Sequence, residues 1–180
     1  MPNPDDKQEL DGLQQFDPQV ISEIYDRYFP YVFRYVQYRL SDIAHAEDVT
    51  SDVFMRLLEA VRKGKGPESN IKAWLLGTAS HAVNDHHRQT YRRPTEEITE
   101  FTPDLQATPS ESTEQRERQR RIREALTKLT PEQQHVIALR FGQELSLEET
   151  ALVMKKKTNA VKQLQLRALA ALNRQVDELL

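Results

Sequence analysis

The stretch from Thr130 to Leu172 has little freedom in how it can fold. Thr130-Pro131-Glu132-Gln133 has the form of a capping box. The threonine hydroxyl can accept from the amide three residues on, and the glutamine side chain can return to the threonine amide. The proline at the first helical position gives up only a donor that a helix start leaves unpaired. The helix it opens carries Val136, Ile137 and Leu139 inward and stops at Gly142. Ser146-Leu147-Glu148-Glu149 is a second box, opening a short helix that buries Leu147, Ala151 and Met154. Lys155, Lys156 and Lys157 supply a turn, and Lys157 or Thr158 begins a third helix with an apolar seam through Val161, Ala168, Leu169 and Leu172. Two short helices joined by a tight turn, the second preceded by three lysines and carrying Asn159, Lys162, Gln163 and Arg167, match the arrangement that lays a recognition helix in a DNA major groove. The plainer reading is a three-helix packing unit with a solvated basic face.

A nucleic-acid partner first looks at odds with a net charge of −3 over 180 residues. The average hides a strong asymmetry. Residues 1–18 hold one basic and five acidic residues, and residues 94–114 hold six acidic and no basic ones. Residues 19–93 hold eleven basic against nine acidic, and residues 115–180 thirteen against eight. The parts expected to fold are basic while the expected tail and linker are acidic, so the overall charge says little about the binding surfaces. The chain is long enough for two small domains with modest cores. It has no cysteine, hence no disulfide framework and no thiolate metal site, which suits a reducing compartment. No apolar run is long enough for a membrane span or a signal peptide, so membrane insertion is not expected and a soluble cytoplasmic protein is the default.

Ahead of the helix-turn-helix, residues 1–17 are polar, without a sustained period, and read as a mobile acidic tail. Asp17-Pro18 starts a helix in which Val20, Ile21, Ile24, Tyr25, Tyr28 and Phe29 recur at helical spacing until Pro30, which should kink or break it; Val32, Phe33, Val36 and Leu40 resume the pattern. The aromatic residues between Tyr25 and Tyr38 could form a base-stacking platform, but their spacing favours a helical core. Ser41 or Asp42 caps a helix that runs to about Lys63 with Ile43, Ala46, Val49, Val53, Phe54, Leu57, Leu58 and Val61 inward. Its other face bears Glu47, Asp48, Asp52 and Glu59, the usual look of a solvated surface. Gly64, Gly66 and Pro67 form a loop with Lys63 and Lys65. Asn70 then caps a helix that buries Ile71, Trp74, Leu75, Thr78, Ala79, Ala82 and Val83. Lys72, His81, Asn84, Asp85 and Arg88 lie on its opposite side, in a polar stripe that ends in Arg92 and Arg93 and can reach phosphates and unpaired bases.

His81 and Asp85, one helical turn apart, with His86 and His87 adjacent, allow a metal-dependent hydrolase as a rival reading. The order is Asp-His rather than His-Asp, and no further histidine lies between His87 and His135 to complete a site, so neither metal nor cofactor is expected. Residues 94–114, with three prolines and only acidic charges, have the composition of a flexible linker. The run Glu114 to Arg123 mixes acid with five arginines and leads through Ile122, Leu126 and Leu129 into the helix-turn-helix.

With both halves laid out, the order is helical domain, acidic linker, helix-turn-helix domain. It resembles the sigma-70 superfamily, in particular the compact extracytoplasmic-function (ECF) sigma factors. Ala46-Glu47-Asp48-Val49-Thr50-Ser51-Asp52-Val53-Phe54 resembles the AED-x-x-Q-[DE]-V-F stretch of conserved region 2.2. Trp74-Leu75, Ala79, Asp85 and Arg88 fall at the spacing of W-L-x-x-x-A-x-N-x-x-x-D-x-x-R in regions 2.3 and 2.4. Leu126, Leu129, Leu139-Arg140, Glu149, Ala151, Val161-Lys162 and Arg167-Ala168 fit region 4. The chain departs from the pattern with Ser51 for Gln, His81 for Asn, and three lysines for a Gly-apolar-Ser turn. Leu164-Gln165-Leu166 stands where Arg-Leu-polar is common, which would set Gln165 in the apolar seam.

The resemblance implies an all-α fold of two small helical domains, a region 2 bundle over 18–93 and a region 4 helix-turn-helix over 115–180, joined by a flexible acidic linker. It implies a non-enzyme that binds core RNA polymerase and promoter DNA. Asp48, Asp52, Val53, Phe54 and Arg56 would dock on the polymerase clamp. Lys63, Lys65, Lys72, His81, Asn84, Arg88 and Arg92 would hold the unpaired −10 strand, and Lys157, Thr158, Asn159, Lys162, Gln163 and Arg167 would read the −35 duplex. The linker would lie in the polymerase channels. Without a long C-terminal extension, a separate anti-sigma factor is the expected restraint. The competing reading is a free-standing helix-turn-helix regulator whose N-terminal helices dimerise or sense a signal.

Overall fold

In the computed structural model, residues 4–40, 42–92 and 112–178 are described, and all their regular structure is helical. Ser41, Arg93 and the linker residues 94–111 lie outside the described residues. The helices form two compact units.

The first unit holds α1 (Pro4–Gln14), α2 (Pro18–Arg39), α3 (Ile43–Arg62) and α4 (Ile71–Arg92). Local chemistry sets the helix starts. The Asp17 carboxylate accepts from the amides of Gln19 and Val20, Asp42 accepts from His45, and Asn70 accepts from Ala73 at 2.7 Å. α2, α3 and α4 pack on one another around Val32, Tyr35, Val36, Val53, Leu57, Leu75, Ala79 and Val83, each at most 2% exposed. Ile43, expected inside, is 44% exposed at the first turn of α3, and Trp74 and Thr78 are only half-buried.

Pro30 does not break α2, which runs through it as one helix. A proline inside a helix costs about 3 kcal/mol. Ile24 on one side of it and Val32, Tyr35 and Val36 on the other are all buried, and each such side chain contributes roughly 1.5–3 kcal/mol. Tertiary packing therefore outweighs the local penalty. Of the aromatic residues along α2, Tyr35 fills the core, whereas Tyr25, Tyr31 and Tyr38 are 37–40% exposed, so the expectation that most of them fill the core holds only in part.

The acidic N-terminal stretch is not the mobile tail its composition implied, because residues 4–14 form α1. Leu10 and Leu13, the latter 1% exposed, are the apolar residues that bury, and two such positions are too few to declare a period. α1 packs on α2 and α3. Gly12 permits the approach: a Cβ there would lie 2.6 Å from Cγ2 of Val20. Glu9 is buried, accepts from the Tyr28 hydroxyl at 3.2 Å and pairs with Arg27. Leu13→Ala should lower the unfolding free energy by about 2–4 kcal/mol. Urea titration of the full chain checks this, since an unattached tail would leave the midpoint unmoved.

The second unit contains α5 (Thr113–Thr127), α6 (Pro131–Ile137), α7 (Leu147–Met154) as far as Ala151, and α8 (Thr158–Asp177). Ser112 and Gln115 form a capping box on α5, and the boxes at Thr130/Gln133 and Ser146/Glu149 close in both directions as the sequence requires. α6 continues to Gly142 as a π-helical turn, Ala138–Gly142, in which the Gln143 amide donates to the Ala138 carbonyl at 2.9 Å. α8 packs on α5 and α6. Its seam is Val161, Leu164 and Ala168, all buried at i, i+3 and i+7, with Leu169 and Leu172 half-buried beside it. Leu164 takes the place expected for Gln165 because it lies on that stripe and brings no polar group inside. Leu147 and Met154 are half-buried rather than enclosed, while Ala151 is buried.

Candidate functional site

The polar face of α3 presents Asp48 and Asp52 to solvent, as the spacing predicts. Val53 and Phe54, which the family resemblance placed on the docking surface, point the other way, at 0% and 7% exposure. They fall on the inward stripe of the same helix. The Phe54 ring lies 4.8 Å from Tyr25 and 6.2 Å from Phe29, so these residues support the face from behind. Arg56 is engaged as well. Its Nε donates to Asp52 at 2.7 Å, and its two terminal nitrogens approach Asp85 of α4 at 3.2 and 3.3 Å. Arg88 adds a looser contact with Asp85 at 3.8 Å. Asp52, Arg56, Asp85 and Arg88 thus form a line of alternating charge from the acidic face of α3 to the polar stripe of α4. The Asp52–Arg56 spacing was visible in the sequence, but the link across to Asp85 needs the fold.

The basic stripe is present, and several of its members have partners. Lys65 and His81 are exposed, Lys63 lies 3.5 Å from Glu59, and Arg92 ends α4 in solvent. Gly64 turns the loop with φ of 67°, a conformation glycine adopts without steric cost. The Lys72 ammonium sits 4.2 Å from the centre of the Tyr31 ring, and the Arg34 guanidinium 5.7 Å from it. Asn84 accepts a hydrogen bond from Arg39 at 3.0 Å. The sequence reading left out Arg39 and set Tyr31 among the aromatic residues of α2 that were expected mostly to fill the core. Tyr91, 89% exposed next to Arg92, was missed too, although an aromatic beside basic residues at a helix end was a readable signal.

The histidines disperse instead of converging. His86 meets His45 of α3 with ring centres 5.1 Å apart, and His45 Nδ1 lies 3.1 Å from Asp42. His87 rests against Arg39, while Asp85 is held by Arg56. Among the described residues no group of three or more His, Asp or Glu is placed to hold a metal ion. Burial and the neighbouring His45 push the His86 pKa below its ordinary value near 6.5. Burial, Arg39 and His86 do the same for His87, against a weaker opposing hydrogen bond to the Arg39 backbone.

In the second unit Lys157, Asn159, Lys162, Gln163 and Arg167 are exposed, and Thr158 is half-buried. They occupy the start and the free side of α8, opposite its buried seam. Lys155, in the turn before it, has φ of 52°, which supplies with a lysine the left-handed step usually given to glycine. The Lys156 ammonium reaches Glu132 of α6 at 2.7 Å and ties the turn down. Gln165 accepts from Nε of Arg140 at 2.8 Å, and Arg140 also donates to the Leu145 carbonyl. The atypical Gln165 thereby fixes α8 against the π-helical turn.

Residues 24–93 match sigma-70 region 2, and residues 125–174 match sigma-70 region 4. The ECF RNA polymerase sigma factor BldN of Streptomyces coelicolor is 34% identical over 92% of this chain, which spans 63% of that relative's length. The ECF RNA polymerase sigma factor SigX of Bacillus subtilis is 33% identical over 86% of this chain and 82% of its own. The chain belongs to the ECF sigma factors. The structure of CnrH in complex with the cytosolic domain of CnrY shares the fold, with a TM-score of 0.69 at 20% identity, covering 96% of this chain and 97% of that one. So does the sigma factor RpoE of Bartonella quintana, solved with the anti-sigma factor NepR, at a TM-score of 0.60 and 18% identity, covering 87% and 96%. In this sigma factor α1 precedes the matched region 2 segment, which begins at Ile24 within α2. No helix among its described residues is long and apolar enough to cross a membrane.

The two lowered histidines make the stability of this sigma factor depend on pH. The unfolded chain takes up protons near pH 6.5 while the folded one resists them, so stability is full above that value and is lost as pH falls through the folded pKa values. Replacing His86 and His87 with Gln should flatten the fall in unfolding free energy between about pH 7 and 5. Urea midpoints across that range check it.

Proposed function

We propose that this protein is a transcription initiation factor that binds bacterial core RNA polymerase in the cytoplasm, directs it to promoters and helps open the DNA. It acts by binding and is not itself a catalyst. The likeness to SigX over most of both chains carries the reading, since it spans the region 2 and region 4 segments together. The unit of residues 18–93 would bind polymerase through Asp48 and Asp52, with Arg56 holding that face to α4. Its Lys72, His81, Asn84, Arg88 and Arg92, with Lys63 and Lys65 of the preceding loop, would hold the unpaired −10 strand by phosphate contacts and stacking. Residues 115–180 would read the −35 duplex with the free side of α8. An anti-sigma factor completes the set of partners in this reading.

Run-off transcription with bacterial core polymerase, from the promoter upstream of the protein's own operon, is the direct test. A free-standing regulator would instead bind duplex DNA specifically without polymerase and start no transcript. Asp48→Arg places the wrong charge on the exposed α3 face while sparing the core, and should abolish association with core polymerase at unchanged helicity. Normal co-purification would refute the docking assignment. Lys162→Ala and Arg167→Ala should weaken promoter binding, and loss of a phosphate-contacting lysine should lower the salt dependence by about one unit of slope. An unchanged slope for Lys157→Ala and Lys162→Ala alike would separate that face from DNA.

A further inference from the structure

The free side of α8 is not wholly polar. Leu166 is 52% exposed, and among the described residues of α8 it is the one large apolar side chain that stands in solvent. It lies two positions from Leu164 and from Ala168, both buried. Two positions turn an α-helix by about 200°, so Leu166 faces away from the seam. Asn159, Lys162 and Gln163, all exposed, precede it by seven, four and three positions and share its stripe, and exposed Arg167 follows it. Rolling the helix to bring Leu166 inside is prevented. Val161, Leu164 and Ala168 close the seam, and Gln165 accepts from Arg140 at 2.8 Å.

A lone exposed leucine is ordinary on a protein surface. Its neighbours distinguish this one. Lys162, Gln163 and Arg167 suit phosphates and the polar edges of base pairs, and none of them has use for a hydrocarbon surface. A protein partner docking on apolar area would need several such residues together, and this face offers one. The major groove of a duplex does hold a matching group, the C5 methyl of thymine. Cytosine carries only a hydrogen at C5, and the purines present N7 and an exocyclic polar group there.

We propose that Leu166 is a specificity-determining residue that packs on the C5 methyl of one thymine in the −35 duplex. This rests on the sigma-factor reading and deepens it, adding an apolar contact to the polar ones of Lys162, Gln163 and Arg167. The methyl leaves water as the leucine does, and the contact selects thymine over the other three bases at that position.

The test is competition binding of promoter duplexes by the full-length protein assembled with core polymerase. Each thymine of the −35 element, on either strand, is replaced in turn by uracil, which lacks the methyl and keeps every hydrogen-bonding group. At one position the unmodified protein should bind the uracil duplex about three- to fivefold more weakly, the worth of one buried methyl group. Leu166→Ala should bind the thymine duplex more weakly and show no difference between thymine and uracil there. Leu166→Met, with an apolar side chain of similar volume, should keep the difference. Melting temperature and association with core polymerase should be unchanged in both variants, since the side chain lies outside the core. Should a variant fail to fold, the uracil series on the unmodified protein still decides, because a holoenzyme indifferent to uracil at every position overturns the inference. A difference that persists in Leu166→Ala overturns it too, by assigning the methyl to another residue. So does a Leu166→Ala protein that binds promoter normally once assembled but associates poorly with core polymerase, which gives the leucine to a protein partner. A holoenzyme that binds no promoter sinks the sigma-factor reading itself, and this inference with it.

Discussion

The mutual burial of three helix faces in the first unit carries everything that unit presents to a partner. Tyr35 and Val36 of α2, Val53 and Leu57 of α3, and Leu75, Ala79 and Val83 of α4 are enclosed together. Once these stripes are fixed, the rotation of each helix is fixed, and the opposite faces follow. Asp48 and Asp52 are outside because Val49 and Val53 are inside. The same constraint absorbs the penalty of Pro30. It also holds Arg39 and Arg56 at the seams between helices, where each touches a residue of α4.

Charge is arranged at two scales. Across the chain, acid is concentrated outside the main helical segments, so a protein of net charge −3 can offer basic surfaces. Locally, Asp52, Arg56, Asp85 and Arg88 alternate in sign from one helix to the next. These side chains are 35–73% exposed, and such pairs are worth roughly 0–1 kcal/mol each. Their importance is geometric. They couple the rotamers on the acidic face of α3 to those on the stripe of α4, so neither surface is independent of the other.

Much of the fold was legible because helix signals are local. Capping boxes at Thr130 and Ser146 and the aspartate cap at residue 17 announce their helices from a few neighbouring side chains, and all three form. α1 escaped because two leucines in a polar segment show no period until α2 and α3 cover them. On the candidate site, the exposed residues of α8 stood where periodicity put them. Val53 and Phe54 lie behind the acidic face of α3 rather than on it, because a family motif names positions without saying which face they take. Tyr31 and Arg39 were overlooked because an aromatic-rich helix reads as core, and only the docking of α4 shows which of its polar ends reach the surface.

By itself, the sequence determined the helical class, the places where most of the helices begin, the succession of a region 2 and a region 4 segment, and membership of the ECF sigma factors. These follow from interactions between residues a few positions apart and from motif spacing, and both are written along the chain. Tertiary structure alone decided that residues 4–14 are a packed helix, that α2 survives Pro30, that Gln165 braces Arg140, and that Arg39 donates to the amide oxygen of Asn84. Each of these depends on groups from different helices meeting within hydrogen-bonding or van der Waals distance, and a one-dimensional pattern does not record such meetings.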